Sequence, residues 1–403
     1  MATVVLVGTL DTKGLEYEYL RERVREQGVD VILVDAGVFE PQVEADVSHE
    51  EVAAATGADV VKLAEAGDRG AAVSTMAQGA AEIVKRLHAG GRLDGIAAMG
   101  GSGNSSIAAV AMRGLPVGVP KLIVSTVASG DTRPYMGATD ISMTYSVVDI
   151  AGINQISAQI LTNAAGAIAG MVKAQAPALA EAKPLVTASM FGVTTPCVTR
   201  ARERLEELGY EVLVFHQTGT GGESMEELMK GGFITASLDV TATELADELV
   251  GGVLSAGPDR LEAAGELGLP QVVSLGALDM VNFGPKESVP ERFQGRNLYV
   301  HNPTITLMRT TPDECRELGR RIGRKLSGAK GPTALFIPLR GVSMIAVEGQ
   351  PFHDAEADAA LLEGLRETLG SNVEVHELDM DVNDAEFALT MADRLHELVE
   401  EAR

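Results

Sequence analysis

Short apolar runs alternate along this chain with longer amphipathic stretches, and this alternation limits the fold more than any other feature of the sequence. The apolar runs of the first half are rich in Val and Ile without polar alternation, which is typical of strands buried on both faces of a sheet. They predict strands at residues 4–7, 29–34, 95–99 and 121–125. The amphipathic stretches predict helices at residues 14–27, 71–88 and 105–113. Because strands alternate with helices, we expect βαβ units and a parallel sheet.

A second series of the same kind follows an Ala- and Pro-rich stretch, KAQAPALAEAKP at residues 173–184, which is typical of a linker. Its predicted strands are residues 186–190, 211–216, 234–240, 271–275, 297–301 and 334–339. We therefore predict an α/β protein with two Rossmann-like domains, each a parallel sheet flanked by helices, and a ligand cleft between them. The predicted divisions are an N-terminal nucleotide-binding domain at 1–180, a C-terminal domain at 184–382 and a closing helix at 383–403.

The two series resemble each other at their starts. The segment RERVREQGVDVILVDAG at 21–37 aligns without gaps with RERLEELGYEVLVFHQT at 202–218, an offset of 181 residues. Two explanations stay open: a duplicated βαβ unit, or two sequences that converged on an amphipathic helix, a Gly stop and a strand. Both explanations predict the same local fold, with a ligand bound at the carboxyl ends of the strands.

The chain is strongly acidic, with a formal net charge of −24 over 403 residues. This charge argues against binding to nucleic acid or to an anionic membrane surface, because both need a basic face that neutralises phosphates. A small anionic ligand stays compatible, since a single site can be locally positive. No apolar run approaches the roughly 18 residues of a membrane-spanning helix, and the two cysteines, 118 positions apart, form no disulfide or metal-binding pattern. The expected location is the cytoplasm.

Three polar loops of the first half are candidates for phosphate binding. GGSGNSS at 100–106 lies between a predicted strand and a predicted helix. Its glycines lack side chains, so an anion could approach the backbone and bind the free N–H groups at the start of the helix; the alternative is a tight turn. GTLDTKG at 8–14 lacks the dinucleotide and P-loop fingerprints, and its alternative is an ordinary capped turn. STVASGDTRPY at 125–135 carries Arg133, whose guanidinium suits a phosphate or a surface ion pair. The candidate phosphate-binding residues are Gly8, Thr9, Asp11, Thr12, Lys13, Gly100, Gly101, Ser102, Gly103, Asn104, Ser105, Ser129, Gly130, Asp131, Thr132 and Arg133.

Isolated titratable residues lie at other predicted strand ends. His216, Asp239 and His301 of the second half are candidates for acid–base catalysis, and the alternative for each is an ordinary structural role. Asp35 ends the second predicted strand, where Rossmann proteins place an acid that binds ribose. Since no dinucleotide fingerprint precedes it, a carboxylate that caps a turn is the favoured interpretation of Asp35.

Eight stretches of the sequence carry a resemblance to one known family: GTLDTKG, MGGSGNSS, LPVGVPKLIVSTVASGDTRPY, YSVVDIAGIN, VFHQTGTGGESME, GALDMVNFG, HNPTITLMRTTP and PLRGVSMI. Together they resemble the tomato mosaic virus resistance protein N-terminal-domain family of bacteria, fungi and plants, and they span nearly the whole chain. The resemblance implies two Rossmann-like domains, ATP binding and homodimers. The glycine loop departs from the family pattern, since Asn104 and Ser105 stand where the family often has Gly and Thr.

We therefore expect an ATP-binding protein, with a small-molecule nucleotide as its partner. The phosphates would lie against residues 100–106 and 8–13, residues 129–133 would close over them, and Mg²⁺ would bridge phosphate oxygens. Three functions stay open. They are an ATP-dependent enzyme, a non-catalytic dimeric module that responds to the nucleotide, and a glycosyltransferase- or epimerase-like enzyme that uses a nucleotide sugar.

Overall fold

The computed structural model describes residues 2–175 and 182–403. The chain divides into two compact units, which we call unit 1 (the described residues 2–175) and unit 2 (residues 182–403). Residues 176–181 of the predicted linker lie outside the described residues, so each unit is considered by itself.

Unit 1 is a five-stranded parallel sheet with helices packed on both faces. Its strands are β1 (Thr3–Gly8), β2 (Asp30–Asp35), β3 (Gly95–Gly100), β4 (Lys121–Ser125) and β5 (Ser142–Tyr145). Its helices are α1 (Leu10–Glu26), α2 (His49–Ala54), α3 (Val60–Ala66), α4 (Arg69–Ala89), α5 (Ser102–Arg113), α6 (Arg133–Met136) and α7 (Gln155–Lys173). The strand order is β2–β1–β3–β4–β5, with every neighbouring pair parallel. The four strands predicted for this half are thus confirmed.

The side chains of β1 explain why its sequence lacks polar alternation. Val5 and Val7 belong to a core formed with α4 and α5, whereas Val4 and Leu6 belong to a second core formed with α1 and α7. All four side chains are fully buried. Because each such side chain stabilises the fold by about 1.5–3 kcal/mol when removed from water, both faces of the strand must be apolar.

Unit 2 contains a larger parallel sheet and a small antiparallel one. Its strands are β6 (Leu185–Met190), β7 (Glu211–His216), β8 (Ala236–Thr241), β9 (Gln271–Gly276), β10 (Met280–Phe283), β11 (Leu298–Asn302), β12 (Ile305–Arg309), β13 (Thr333–Pro338) and β14 (Glu374–Leu378). Its α-helices are α8 (Thr195–Glu207), α9 (Thr220–Lys230), α10 (Thr243–Val250), α11 (Ala263–Leu267), α12 (Pro312–Ser327), α13 (Ala355–Thr368) and α14 (Ala385–Glu401). Short 3₁₀ turns lie at Gly192–Thr194, Lys286–Ser288 and Glu291–Phe293.

The six-stranded sheet of unit 2 has the order β14–β13–β9–β8–β6–β7 and is parallel throughout. The predicted strand at 297–301 corresponds to β11, but β11 pairs with β12 in the antiparallel sheet β10–β12–β11 rather than in the parallel sheet. The physical reason is the connection, because β12 starts only three residues after β11 ends. Parallel neighbours need a crossover of a dozen or more residues, whereas so short a loop joins antiparallel strands.

Both units begin in the same way. At the offset of 181 residues found in the sequence, α1 and α8 end at Glu26 and Glu207, and β2 (Asp30–Asp35) corresponds to β7 (Glu211–His216). In each sheet the second strand pairs with one side of the first, and the third strand pairs with its other side. The shared order 2-1-3-4-5 is common among doubly wound folds, so duplication and convergence both stay open.

Candidate functional site

The sheet of unit 1 has a topological switch point between β1 and β3. The chain leaves β1 toward β2 on one side, and β3 lies on the other side of β1. At such a point the helices that follow the two strands separate, which opens a crevice at the carboxyl ends of the strands. A cleft of about 610 Å³ lies there, and all of its lining residues belong to unit 1. A volume of this size is typical of small-molecule sites.

The lining of the cleft contains both polar and apolar residues. The polar lining consists of Thr9, Asp11, Thr12, Lys13, Gly37, Gly67, Asp68, Arg69, Gly100, Gly101, Ser102, Gly103, Asn104 and Asp149. The apolar lining consists of Ala36, Val38, Phe39, Leu63, Ala64, Ala72, Val73, Met76 and Ile107. Phe39 is 61% exposed although it is a large apolar side chain, so part of the apolar wall is open to solvent.

Three helix N-termini contribute to the polar lining of the cleft. The caps of α1, α5 and α4 are Thr9, Gly101 and Asp68, and all three line the cleft. Asp35 accepts the N–H of Leu10 at the start of α1, but within the described residues the cap residues Thr9 and Gly101 make no side-chain cap bond, so other N–H groups of the first turns of α1 and α5 are available to a ligand. The termini of α4 and α5 also carry the positive end of a helix dipole, which favours an anion, whereas α1 has a kink at Lys13 that separates its first turn from the rest of the helix.

The loops predicted at 8–14 and 100–106 are shorter than expected. Helix α1 already starts at Leu10 and α5 at Ser102, so most of the predicted loop residues form first helical turns. The glycines at the strand ends have packing reasons. A Cβ at Gly8 would lie 2.0 Å from the buried Tyr17 ring, and Gly100 has a φ of +152°, where a Cβ would lie 2.8 Å from Asn104. These glycines bring the two helix N-termini close to the strand ends.

Two polar side chains of the glycine loop bind other parts of the fold. The Nδ2 of Asn104 donates to the Tyr17 hydroxyl at 2.7 Å and to the Met99 carbonyl. The Ser105 hydroxyl lies 2.6 Å from that of Ser125. Asn104 therefore lines the cleft while its amide nitrogen fixes α5 to β3, and Ser105 is outside the lining.

Two carboxylates shape the loop after β2. Oδ1 of Asp35 accepts N–H bonds from Leu10 at 3.0 Å and from Gly37 at 2.8 Å. Oδ2 of Asp11 accepts N–H bonds from Val38 at 3.1 Å and from Phe39 at 3.2 Å. The capping interpretation of Asp35 is confirmed, since this carboxylate is fully buried and joins the start of α1 to the loop. Burial raises the pKa of Asp35 above its ordinary value, and the two N–H bonds partly offset that rise.

Two cationic side chains line the cleft. Lys13 was expected there, and its Nζ donates to the carbonyl of Ile150. Arg69 was missed by the sequence analysis, because helix α4 was predicted to start at residue 71 and in fact starts at Arg69. Its Nη2 lies 3.7 Å from the position that a Cβ would take at Gly103, and no ion pair or hydrogen bond of its side chain is present in the described parts of the chain. The Asp68 cap, which accepts the Ala71 N–H at 3.0 Å, was the sequence signal for this start.

Ser129, Gly130, Asp131, Thr132 and Arg133 lie outside the lining of the cleft. The guanidinium of Arg133 pairs with the Asp131 carboxylate at 2.7 Å, and both side chains are largely exposed. Hydrogen bonds from Arg133 lower the pKa of Asp131 to about 2. The structure therefore shows this pair as the surface ion pair that was the alternative to a phosphate contact.

The three catalytic candidates belong to unit 2, and the described contacts do not join them. His216 ends β7, is exposed, and its ring lies 5.5 Å from that of Phe191. His301 is exposed in the antiparallel strand β11. Asp239 is buried in β8, where its Oδ1 accepts a hydrogen bond from Ser189 at 2.6 Å. Their participation in one site stays a prediction.

Asp239 belongs to a buried network around Arg260, which the sequence analysis did not single out. Arg260 donates to the two carboxylate oxygens of Asp239 at 2.6 and 2.7 Å and to Glu244 at 2.8 Å. It also contacts Gln217 at 2.9 Å and Glu226 at 3.4 Å. Burial opposes the charge of Arg260, but the carboxylates, Asp239 first, hold the pKa of the guanidinium above its usual value. Burial also raises the pKa of Glu244.

The buried carboxylate of Asp279 in unit 2 is expected to make the stability of the protein depend on pH. The Ser343 hydroxyl donates to Oδ2 of Asp279 at 2.7 Å, and Oδ1 has no hydrogen-bond partner among the described residues. Burial raises the pKa of Asp279 to about 6, although Arg309 partly offsets that rise.

We expect wild type to lose stability relative to the Asp279→Asn variant as the pH rises from about 4 to about 6. Below this range the carboxyl is protonated in both folded and unfolded chains, whereas above it the folded chain must hold a buried charge. The change is on the order of 3 kcal/mol in the free energy of unfolding. Urea unfolding of both proteins at pH 4 and pH 7 measures it, and an equal difference at the two pH values would contradict the expectation.

Among the described residues we find neither a membrane-spanning helix nor a group of side chains that could hold a metal ion. Across residues 2–175 and 182–403, no helix is long and apolar enough to cross a bilayer. Within the same ranges no three His, Cys, Asp or Glu side chains lie close enough together to hold a metal ion. The buried Cys197 and Cys315 are free thiols, and burial raises the pKa of both.

Solved structures show only distant likeness to this chain. A UDP-N-acetylglucosamine 2-epimerase of Rickettsia bellii is 11% identical with a TM-score of 0.23, covering 68% of this chain and 78% of that chain. The glycosyltransferase SsfS6 of a Streptomyces species, complexed with thymidine diphosphate, is 12% identical with a TM-score of 0.19, covering 68% and 82%. At these TM-scores the likeness supports no inference about ligand or reaction.

Related sequences cover the whole chain. A UPF0261 protein of Clostridium tetani is 53% identical over 399 residues, which are 98% of this chain and 99% of that protein. The ToMV resistance protein Tm-1(GCR237) of Solanum lycopersicum is 40% identical over 423 residues. That match covers 99% of this chain and 56% of the tomato protein, so the chain spans about half the length of this relative.

Two family models match one after the other. The model described as the N-terminal domain of an uncharacterised protein family, UPF0261, matches residues 2–177. The model of the C-terminal domain of the same family matches residues 183–399. The two matched ranges correspond to units 1 and 2, and the chain therefore belongs to the uncharacterised protein family UPF0261.

Proposed function

We propose that unit 1 binds ATP in the cleft at the carboxyl ends of β1 and β3. One observation carries the proposal: three helix N-termini and two cationic side chains line a cleft whose lining also includes a set of apolar side chains. A nucleotide needs both kinds of surface, because its phosphates are anions and its base is a flat, weakly polar ring. The ligand cleft expected between the two domains is not part of this proposal.

The phosphates would lie against the first turns of α1 and α5. The uncapped N–H groups there bind anions without adding a side-chain charge. Lys13 and Arg69 would supply positive charge next to the phosphates, in a chain with a formal net charge of −24. Residues 129–133, which were expected to close over the phosphates, are not needed, since Arg69 offers a guanidinium within the lining.

The base would lie against the apolar lining. Phe39 is the aromatic side chain of that lining and is 61% exposed, so its ring is free to stack on a base. Asp11 supports this placement, because its carboxylate accepts the backbone N–H of Phe39 and of Val38. Adenine in particular is proposed from the family resemblance, whereas a ligand with both anionic and apolar parts is proposed from the lining of the cleft.

The Arg69→Ala variant is expected to bind ATP about 10- to 100-fold more weakly than wild type. The reason is the loss of a charge-assisted hydrogen bond to phosphate, which contributes about 1.5–3 kcal/mol. Isothermal titration calorimetry of each protein with ATP measures the change. The matched control is Arg92→Ala, since Arg92 is also exposed but precedes β3 at the opposite end of the sheet. Equal ATP affinity of the Arg69→Ala variant and wild type would contradict the proposed phosphate site.

Titrations with ADP, UDP-N-acetylglucosamine and NAD separate ATP from the other ligand classes. Tighter binding of the UDP-sugar than of ATP would favour a nucleotide-sugar enzyme instead. Phosphate release under turnover conditions then separates an ATP-dependent enzyme from a non-catalytic module.

We also propose a homodimer, from the family resemblance alone. Sedimentation equilibrium with and without ATP tests both the dimer and its response to the nucleotide.

A further inference from the structure

Three carboxylates line the cleft, and two of them are engaged by backbone N–H groups. Asp11 accepts the N–H groups of Val38 and Phe39, and Asp68 accepts that of Ala71 as the cap of α4. The third, Asp149, is exposed and lines the cleft. No hydrogen bond or ion pair of the Asp149 carboxylate occurs in the part of the chain that the structure describes. Among the three carboxylates that line the cleft, Asp149 is therefore the one that no contact within the described residues holds in place.

The segment after Asp149 is attached to the first turns of α1. The ammonium of Lys13 donates to the carbonyl of Ile150, and the N–H of Gly152 donates to Oε1 of Glu16 at 2.7 Å. These contacts place the segment that begins at Asp149 beside the first turns of α1. The proposed function puts the phosphates against the same helix N-terminus, so the Asp149 carboxylate is available to a ligand group there.

The segment before Asp149 is a tight turn that holds an unfavourable backbone conformation. Val147 has a φ of +64°, which is a rare value for a β-branched residue and costs on the order of 1–3 kcal/mol. The N–H of Val148 donates to the Ser146 carbonyl at 2.7 Å, and the Ser146 hydroxyl donates to the Val148 carbonyl at 2.7 Å. The N–H of Ser146 donates to the carbonyl of Ser125 in β4 at 3.2 Å. Asp149 is thereby held between a closed turn and the α1 contacts.

We infer that Asp149 is the protein ligand of a divalent cation, Mg²⁺, that enters the cleft with the triphosphate; this inference rests on the proposed nucleotide function. Mg²⁺ at nucleotide sites is held by one or two carboxylates together with phosphate oxygens and water. A cluster of protein ligands is therefore not required. A free carboxylate beside a triphosphate repels it, whereas a cation between them turns the repulsion into attraction. Asp149 should consequently oppose binding of metal-free ATP and favour binding of MgATP.

The experiment compares wild type with the Asp149→Asn variant, using the non-hydrolysable analogue AMP-PNP. Calorimetric titrations are made once with EDTA and once with an excess of Mg²⁺. For wild type, Mg²⁺ should tighten binding at least tenfold. For Asp149→Asn that gain should largely disappear, while metal-free affinity stays equal to wild type or becomes tighter. The matched control is Asp30→Asn, which removes the same charge from an exposed residue at the start of β2 and should keep the Mg²⁺ gain.

A second readout follows the metal directly. Electron paramagnetic resonance of Mn²⁺ with AMP-PNP should show one tightly bound Mn²⁺ per chain in wild type and a weakened site in Asp149→Asn. A Mg²⁺ gain of equal size in both proteins would overturn the role of Asp149 and leave the nucleotide site standing. A loss of affinity that is the same with and without metal would overturn it in favour of a contact with ribose. Absence of AMP-PNP binding to wild type under both conditions would overturn the proposed function as well.

Discussion

The Arg260→Met variant is expected to destabilise unit 2 by about 3–5 kcal/mol. The guanidinium is fully buried and is the counter-ion of Asp239, Glu244 and Glu226. Methionine fills a similar volume but leaves three buried carboxylates without a positive charge, and breaking a buried ion pair from one side carries this cost. Urea unfolding followed by circular dichroism measures the change in the free energy of unfolding.

The pH dependence of this effect checks the cause. Burial raises the pKa of Glu244, and this carboxyl no longer needs a counter-ion once it is protonated, so the difference between Arg260→Met and wild type should shrink from pH 7 to pH 4. The matched control is Arg340→Met, because Arg340 is 64% exposed and pairs with Asp379 at 2.5 Å. Exposed pairs of this kind contribute about 0–1 kcal/mol. An Arg260→Met variant as stable as Arg340→Met at pH 7 would contradict the assignment.

The two units differ at the corresponding strand ends. In unit 1 the ends of β1 and β3 are Gly8 and Gly100, and a cleft opens beside them. In unit 2 side chains join the corresponding places, since Ser189 of β6 donates to Asp239 of β8, and the hydroxyl of Thr194, which follows β6, lies 2.8 Å from that of Thr241 in β8. The same strand order is thus combined with glycines in one unit and with hydrogen-bonded side chains in the other.

The Gly364→Ala variant is expected to destabilise unit 2 by about 3 kcal/mol. A Cβ at Gly364 in α13 would lie 1.9 Å from the carbonyl oxygen of Arg316 in α12, and one at Gly319 in α12 would lie 2.1 Å from that of Leu361. Backbone oxygens within helices cannot rotate away, so the two helices must separate to admit a methyl group. Overpacking of this kind costs about 1–3 kcal/mol and occasionally more.

Thermal and urea unfolding of Gly364→Ala and Gly319→Ala test this contact. The control is Gly166→Ala in α7, where nothing among the described residues lies within 4 Å of the added Cβ. Because Ala favours a helix over Gly by about 1 kcal/mol, Gly166→Ala should be neutral or slightly stabilising. If all three variants had the same stability, the close approach of α12 and α13 would be refuted.

The alternation of apolar runs and amphipathic stretches was enough to predict the architecture. The strands at β1, β2, β3 and β4 were predicted within about one residue of their bounds, because residues such as Val4 and Val5 pack on opposite faces of the sheet and must both be apolar. The start of α12 also has a local signal in the sequence, since Thr311 precedes Pro312 and its hydroxyl accepts the N–H of Glu314 at 3.2 Å. Such signals are local, so a single sequence carries them.

The composition of the site was only partly predictable. Glycine-rich strand ends predicted a site beside β1 and β3, where the cleft of unit 1 lies, because parallel strands bring their carboxyl ends to one edge. The roles of individual side chains depended on distant partners. Asn104 binds Tyr17, which lies 87 residues away in the sequence, and Arg133 lies on the surface with Asp131 rather than in the cleft.

The sequence by itself determined the α/β class, the two parallel series and the strand ends at which helices begin, because burial patterns and helix caps act over a few neighbouring residues. Only the tertiary structure decided which charges meet. Arg69 lines the cleft beside Gly103, and Arg260 lies among three carboxylates, because packing of the sheets brings together residues that are far apart along the chain. The pairing of charges depends on which side chains are close in three dimensions, and the local periodicity of the sequence does not predict that.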